Sequence, residues 1–420
     1  MVFAMVNHFR WAAIASLSIT VATALSAQGV NPASAPPALS RTITSPSAPS
    51  AASEKRADDA INANATPSAK EESKEARDAK AVKPVEKFPH IALILPLASK
   101  TFGKVADAVK QGFIAGANAD GKNAPAWRIY ATDDDTVSLT TQYRKATADG
   151  ATAIIGGVTR DGAAIMAKES GLLPSLALNA PTIAAANATD AELPERFFYV
   201  SLNLDWEARL AARAAANDGL RRVAVVTAGT PLARRVQESF EKEWLRLGGE
   251  IALRLAVNID TIDGTRVANA MEKATADVVF LAAEIRVARF ARPYLPVGMP
   301  VFATSMTIDP RADAVENLDL ENVRFMEMPW FVQPDHPAVM AYSKPTEPLP
   351  IDYERLYALG IDAWRLAQWV QRDGQADKSK SPPTLDGVTG RITLDGHQFV
   401  RMLAAGEMRD GRPALFKPSE

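Results

Sequence analysis

Cysteine is absent from all 420 residues. Disulfides and thiolate metal sites are excluded with it, and so is lipid attachment through a processed N-terminal cysteine. Histidine is scarce. His8, His90, His336 and His397 are the whole supply, and their spacing matches no metal site. His90 opens a strand and reads as structural. The common catalytic and phosphate-binding signatures are missing as well: no G-x-S-x-G, H-E-x-x-H, P-loop or G-x-G-x-x-G occurs. With no acid–base or nucleophile set in view, the expectation is a protein that is no enzyme and has no cofactor or resident metal. An excess of charge is lacking too. Lys+Arg 47 against Asp+Glu 49 leaves a net charge of -2, which offers nucleic acid no basic surface. Beyond residue 27 no apolar run is long enough to cross a bilayer.

The chain begins with an address. His8 and Arg10 precede an apolar, small-residue stretch over 11–27, with Ala22-Thr23-Ala24 and Ala24-Leu25-Ser26-Ala27 as peptidase sites. Residues 1–27 are therefore read as a signal peptide or an N-terminal anchor. The run is at the lower limit for a span, so contact with a membrane is expected only through an uncleaved N-terminus. Export to the periplasm is the expected localisation. Residues 28–87 are rich in Ala, Pro, Lys and Glu and hold no aromatic residue. Such a segment cannot bury enough apolar surface to offset its chain entropy, and it is expected to be a disordered tether.

From residue 88 the pattern changes. Strands at 90–97, 127–131 and 151–155 alternate with helices at 102–119 and 137–149. Strand–helix alternation at this spacing predicts right-handed βαβ units and an α/β fold with a parallel sheet. The unbroken apolar run Ile91-Ala92-Leu93-Ile94-Leu95 says that the sheet is covered on both faces. Short strands at 174–178 and 197–202 follow, then a helix opened by Asp205 and ended by Gly219. Thr230 and Pro231 supply a cap and a first helical residue. Strands at 222–227, 251–257, 277–282 and 300–303 repeat the rhythm. Two such sets predict two doubly wound parallel-sheet lobes with an interlobe cleft. The first lobe is expected over 88–202 plus 322–420, the second over 203–321. Residues 387–395 and 397–403 read as a hairpin around Asp395-Gly396, and the loop over 375–383 reads as polar and mobile.

Ligands in parallel sheets sit beyond the carboxyl ends of the strands. The loop Ala98-Ser99-Lys100-Thr101 and the turn Gly156-Gly157-Val158-Thr159 fall there. Ser99, Thr101, Gly157, Thr159, Asn179 and Glu284 are the candidate cleft residues for a small polar ligand. Glycines let backbone amides approach a ligand, hydroxyls bond to it, and Glu284 could pair with an ammonium group. Each has a plainer reading as a turn, a helix cap or a solvated charge. Asp133-Asp134-Asp135 reads as a solvated turn, with Asp135 capping the next helix, since it lacks the alternation of a calcium loop. Met326-Glu327-Met328-Pro329-Trp330-Phe331 is dense in large apolar groups. Met328 and Trp330 are candidate partner contacts, core packing being the alternative.

In their order, several of these stretches resemble one family. They are Ile91 to Leu97 with Gly112-Phe113, Ile154-Ile155-Gly156-Gly157, Leu176 to Asn179, Phe198 to Leu202, and Phe280 to Ala283. Pro300 to Ser305, Met328-Pro329-Trp330, Arg355 to Gly360 with Asp362-Ala363, and Gly390-Arg391 complete the set. Together they are similar to the LppC family of penicillin-binding protein activators, over about residues 88–416. The resemblance implies a type I periplasmic-binding-protein-like fold used as a regulator. Its expected partner is a bifunctional, class A penicillin-binding protein, whose peptidoglycan cross-linking it would stimulate by direct contact. It carries over no catalytic residues. Family members are typically outer-membrane lipoproteins with an N-terminal helical-repeat domain, whereas here no cysteine exists and the tether stands in that place. A solute-binding role, for an amino acid or a similar small polar ligand, is the alternative.

Overall fold

In the computed structural model, the structure describes residues 87–134, 136–171, 173–182, 193–261, 263–373 and 384–416. The expected signal segment, the tether, Asp135 as a cap and the loop over 375–383 lie outside the described residues.

The fold is mixed α/β, built on two sheets dominated by parallel pairing. Strand β1 (His90–Leu95) is buried at every residue, and its two faces serve two cores. Ile91, Leu93 and Leu95 point to one layer, Ala92 and Ile94 to the other, as the two-residue period of a strand requires. Helix α1 (Gly103–Asp120) covers the first face. After β2 (Trp127–Ala131), helix α2 (Thr136–Ala148) covers the other face. β3 (Ala151–Gly156) leads into α3 (Arg160–Glu169), and β4 (Ser175–Ala177) and β5 (Phe197–Val200) extend the sheet. All five strands pair in parallel.

The chain then moves to the second sheet. Helix α4 (Leu204–Asn217) precedes β6 (Arg222–Thr227), α5 (Pro231–Arg246), β7 (Glu250–Ala256) and α6 (Gly264–Lys273). β8 (Val278–Ala282), α7 (Ile285–Ala291), β9 (Val301–Thr304) and β10 (Val323–Glu327) follow. The cap of α4 is Asn203, whose Oδ1 accepts the Asp205 N–H at 2.9 Å, and not Asp205 as its sequence suggests. Asp205 is held by Arg235 Nε at 2.9 Å instead.

Two stretches expected in the first lobe are corrected: residues 323–327 and residues 404–415 both belong to the second sheet. Residues 322–330 were expected to return to the first lobe, but β10 pairs in parallel with β9, Val323 opposite Val301, and stays in the second sheet. The return comes later, through the 23-residue helix α8 (Ile351–Asp373), which lies on the first sheet against α1. That contact is close because two glycines meet there. A Cβ on Gly112 would stand 1.8 Å from the Tyr357 carbonyl oxygen, and one on Gly360 would stand 2.2 Å from that of Val109. Strands β11 (Thr384–Gly387), β12 (Gly390–Asp395) and β13 (Gln398–Met402) finish the first sheet, with β13 parallel to β5. The hairpin between β12 and β13 turns at Gly396-His397, with Gly396 at φ 57°, one residue later than expected, because Asp395 still pairs with Gln398 as the last residue of its strand. A second hairpin, β14 (Ala404–Arg409) and β15 (Arg412–Leu415), closes the second sheet against β10. Its turn Asp410-Gly411 has φ 51° and 68°, positive at both central residues of a two-residue loop. An Asp-Gly pair is a local signal for such a turn.

Candidate functional site

A cavity of about 410 Å³ opens beyond the carboxyl ends of β1, β2 and β3. Three sequence candidates meet in its wall: Thr101, Gly157 and Thr159. Gly157 has φ 61°, a conformation that glycine adopts without strain, and an added Cβ would stand 3.0 Å from Ala163 Cα and from Met166 Sδ. Thr159 caps α3, its Oγ1 accepting the Gly162 N–H at 3.0 Å. Ser99 stands behind the wall. Its Oγ accepts the Thr101 and Phe102 N–H groups at 3.1 and 2.6 Å and donates to Asp134. Asn179 serves the turn itself: Nδ2 donates to the Val158 carbonyl at 3.0 Å and Oδ1 accepts the Ala180 N–H at 2.9 Å.

Glu284 is not among the residues lining this cavity. It follows β8 in the second sheet, and its Oε1 accepts from Thr230 Oγ1 at 2.6 Å. The six candidates therefore divide into three wall residues, two supports and one residue of the other lobe. What the sequence reading missed is the sign of the wall. Asp133, Asp134 and Asp161 line it above an apolar floor of Ile94, Leu139 and Ile165. Such a wall accepts hydrogen bonds and suits a cationic or donor-rich group, not a carboxylate.

A second cluster ties the two lobes together where the chain crosses between the sheets. Arg355, on α8, donates to Glu327 Oε2 of β10 at 2.7 Å, to the Ser305 carbonyl at 3.0 Å and to Asp352 Oδ1 at 3.0 Å. Glu207, on α4, accepts the Ser305 N–H at 2.9 Å. Arg401, on β13, donates to the carbonyls of Ser201 and Thr389, both at 3.0 Å. Asp362 accepts the Thr389 N–H at 2.8 Å and its hydroxyl at 2.6 Å. All of these charged groups except Asp352 are buried. Burial, helped by the charge of Glu327, pushes the Glu207 carboxyl up to about 7. Burial likewise raises Asp362 and lowers Arg401. For Arg355 burial is outweighed by the charge and hydrogen bond of Glu327, so its proton is held more firmly than usual.

Met328 and Trp330 are corrected as contact candidates. They are 3% and 1% exposed and pack with Tyr357, Ala358, Ile361 and Val388. Trp330 Nε1 donates to Glu354 Oε1 at 2.9 Å, and Lys344 Nζ stands 3.4 Å from the ring centre. Burial of their large apolar surface in this crossover core removes them from any outer face. The buried charges of the cluster were missed. One signal was present: Glu327 interrupts an otherwise apolar strand end, which calls for a partner inside. Among the described residues, no group of three or more His, Asp or Glu could hold a metal ion, and no helix is long and apolar enough to cross a membrane.

A family model described as "LppC putative lipoprotein" matches residues 61–404, most of the chain. The chain belongs to the LppC family. Among curated LppC relatives it is similar to the penicillin-binding protein activator LpoA of Enterobacter sp. (strain 638), 24% identical over 287 residues, which is 58% of this chain and 38% of that protein. To the protein of the same name from Escherichia coli (strain K12) it is 23% identical over 314 residues, 64% of this chain and 44% of that one. The chain spans under half the length of these relatives. Among solved structures, the C-domain of LpoA (YraM) from Haemophilus influenzae, a regulator of PBP1A, superposes with TM-score 0.61 at 19% identity. It covers 78% of this chain and all of that one, and it shows a shared fold. A "putative branched-chain amino acid ABC transporter" from Chromobacterium violaceum superposes with TM-score 0.64 at 33% identity, over 76% of this chain and all of that one.

Proposed function

We propose that this protein is a non-enzymatic regulator of peptidoglycan synthesis that acts in the periplasm by contacting a class A penicillin-binding protein. The observation that carries this reading is the family match together with relatives named penicillin-binding protein activators. Regulation without chemistry works by differential binding. A regulator that holds one conformer of the synthase more tightly than another shifts its population by that difference in affinity. The buried Arg355 suits this task, because its bonds to Glu327 and to the Ser305 carbonyl tie the helix of the first lobe to the second lobe.

The test is to titrate the purified chain against the periplasmic parts of the class A penicillin-binding proteins of its own organism, reading binding and cross-linking rate together. Saturable binding with a faster rate is expected. Absence of binding to every one of them overturns the reading.

A second reading, binding of an amino acid or similar small polar solute, is favoured by two observations: the 33% identical structure, and the 410 Å³ cavity, whose aspartate wall beside Thr101, Gly157 and Thr159 suits the ammonium end of such a solute. A ligand-induced rise in melting temperature supports it, and silence across amino acids and peptidoglycan fragments removes it.

A further inference from the structure

The second lobe has a cavity of its own, about 330 Å³, beyond the carboxyl ends of the parallel neighbours β6 and β7. Ala228, Leu255 and Val257 form its apolar part, and Asn258, Thr261, Arg234 and Arg266 its polar part. No acidic residue lines it.

Some arginines of this lobe are paired with carboxylates and some are not; Arg221 and Arg292 donate to backbone carbonyls instead. Arg213, Arg222, Arg235, Arg246 and Arg254, all in this lobe, each have a carboxylate oxygen within 3.4 Å. Arg235, next in sequence to Arg234, is taken by Asp205 at 2.9 Å. Among the described residues neither Arg234 nor Arg266 has such a partner. The nearest acid in sequence, Asp263, accepts the backbone N–H of Arg266 at 2.8 Å as the cap of α6. Asn258 Oδ1 accepts the Asp260 N–H at 3.0 Å, which leaves its NH₂ as the free half of the amide. The polar side-chain groups remaining at this cavity are therefore the Thr261 hydroxyl, which can donate or accept, and donors, two of them cationic. Guanidinium groups carry a planar fork of N–H donors that matches carboxylate and phosphate oxygens. Two such groups at one opening repel each other until an anion stands between them.

We propose that this cavity binds an oxyanion, a carboxylate or a phosphate on a small polar body, held by Arg234 and Arg266. Its volume, at the lower end of ligand pockets, suits a single sugar or a molecule of that size. The site is separate from the acid-walled cavity of the first lobe and does not depend on the synthase reading.

The experiment is a calorimetric titration of the whole chain at low ionic strength with inorganic phosphate and with N-acetylmuramic acid, a carboxylate on a sugar. N-acetylglucosamine serves as the neutral control. Saturable binding of at least one anion is expected, weakening with added salt, with none for the neutral sugar. Both arginines are exposed, so Arg234→Gln and Arg266→Gln keep the fold. Each is expected to weaken binding about tenfold, and the double variant to abolish it. Phosphate binding more tightly identifies a phosphate ligand, and N-acetylmuramic acid binding more tightly a carboxylate one. No saturable heat with either anion, or equal binding by the double variant, overturns the proposal.

Discussion

The two lobes repeat one plan and end in opposite charge. Each has a cavity beyond the carboxyl ends of parallel strands, and in each a threonine-capped helix begins nearby. In the first lobe the wall carries Asp133, Asp134 and Asp161; in the second it carries Arg234 and Arg266. The fold places the cavity, and a few loop and first-turn residues set what it can hold. Likeness of fold to a transporter or to a regulator domain therefore does not transfer a ligand from one to the other.

The comparison breaks most severely if the lobes are uncoupled. Arg355 reaches from the helix of the first lobe to Glu327 of the second. Arg355→Leu leaves Glu327 buried without its counter-charge, so a loss of about 3–5 kcal/mol is expected in denaturant unfolding. Separate transitions for the two lobes are expected to accompany it.

Glu207 sharpens the same point through pH. Its folded value of about 7 lies above the ordinary 4.5. A raised carboxylate contributes stability that is fully present below pH 4.5 and lost as pH rises through 7. Glu327, Arg355 and Arg401 face it, and Ser305 bonds to it. Glu207→Gln keeps an acceptor for the Ser305 N–H and removes the titration. The variant is expected to match the parent below pH 4.5 and to exceed it by about 3 kcal/mol above pH 7, measured by unfolding across that range.

Glycine positions in the two lobes give a smaller contrast. At Gly112 a Cβ meets backbone, the Tyr357 carbonyl, while at Gly264 it meets the half-exposed ring of Tyr294. Backbone cannot step aside and a surface ring can. Gly112→Ala is expected to lower stability by about 2–3 kcal/mol and Gly264→Ala by about 1 kcal/mol or less, compared by thermal unfolding.

The helix caps give the finest contrast. Thr159 caps α3 alone, whereas Thr230 caps α5 and also donates to Glu284. Thr159→Ala is expected to cost about 1 kcal/mol and Thr230→Ala about 1.5–2 kcal/mol. Equal losses in denaturant unfolding would show that the Glu284 bond adds nothing.

Local sequence settles the order of elements and their kind. Continuous apolar runs such as Ile91 to Leu95 and stops such as Thr230-Pro231 act over a few residues, so they can be read from a few residues. The two-lobed α/β plan follows from that alternation, and Thr101, Gly157 and Thr159 could be placed together because strand ends in such a sheet converge. Tertiary structure decided the rest. Which sheet takes β10 depends on Val323 meeting Val301 across a long separation, and no local pattern records it. Met328 and Trp330 look like contact residues until α8 returns to bury them. Glu284 reads as one of the same cleft set until β8, which it follows, is found in the second sheet, with Thr230 beside it. Charge at a site is a property of what is left after pairing, and pairing in this chain is made between residues far apart in sequence.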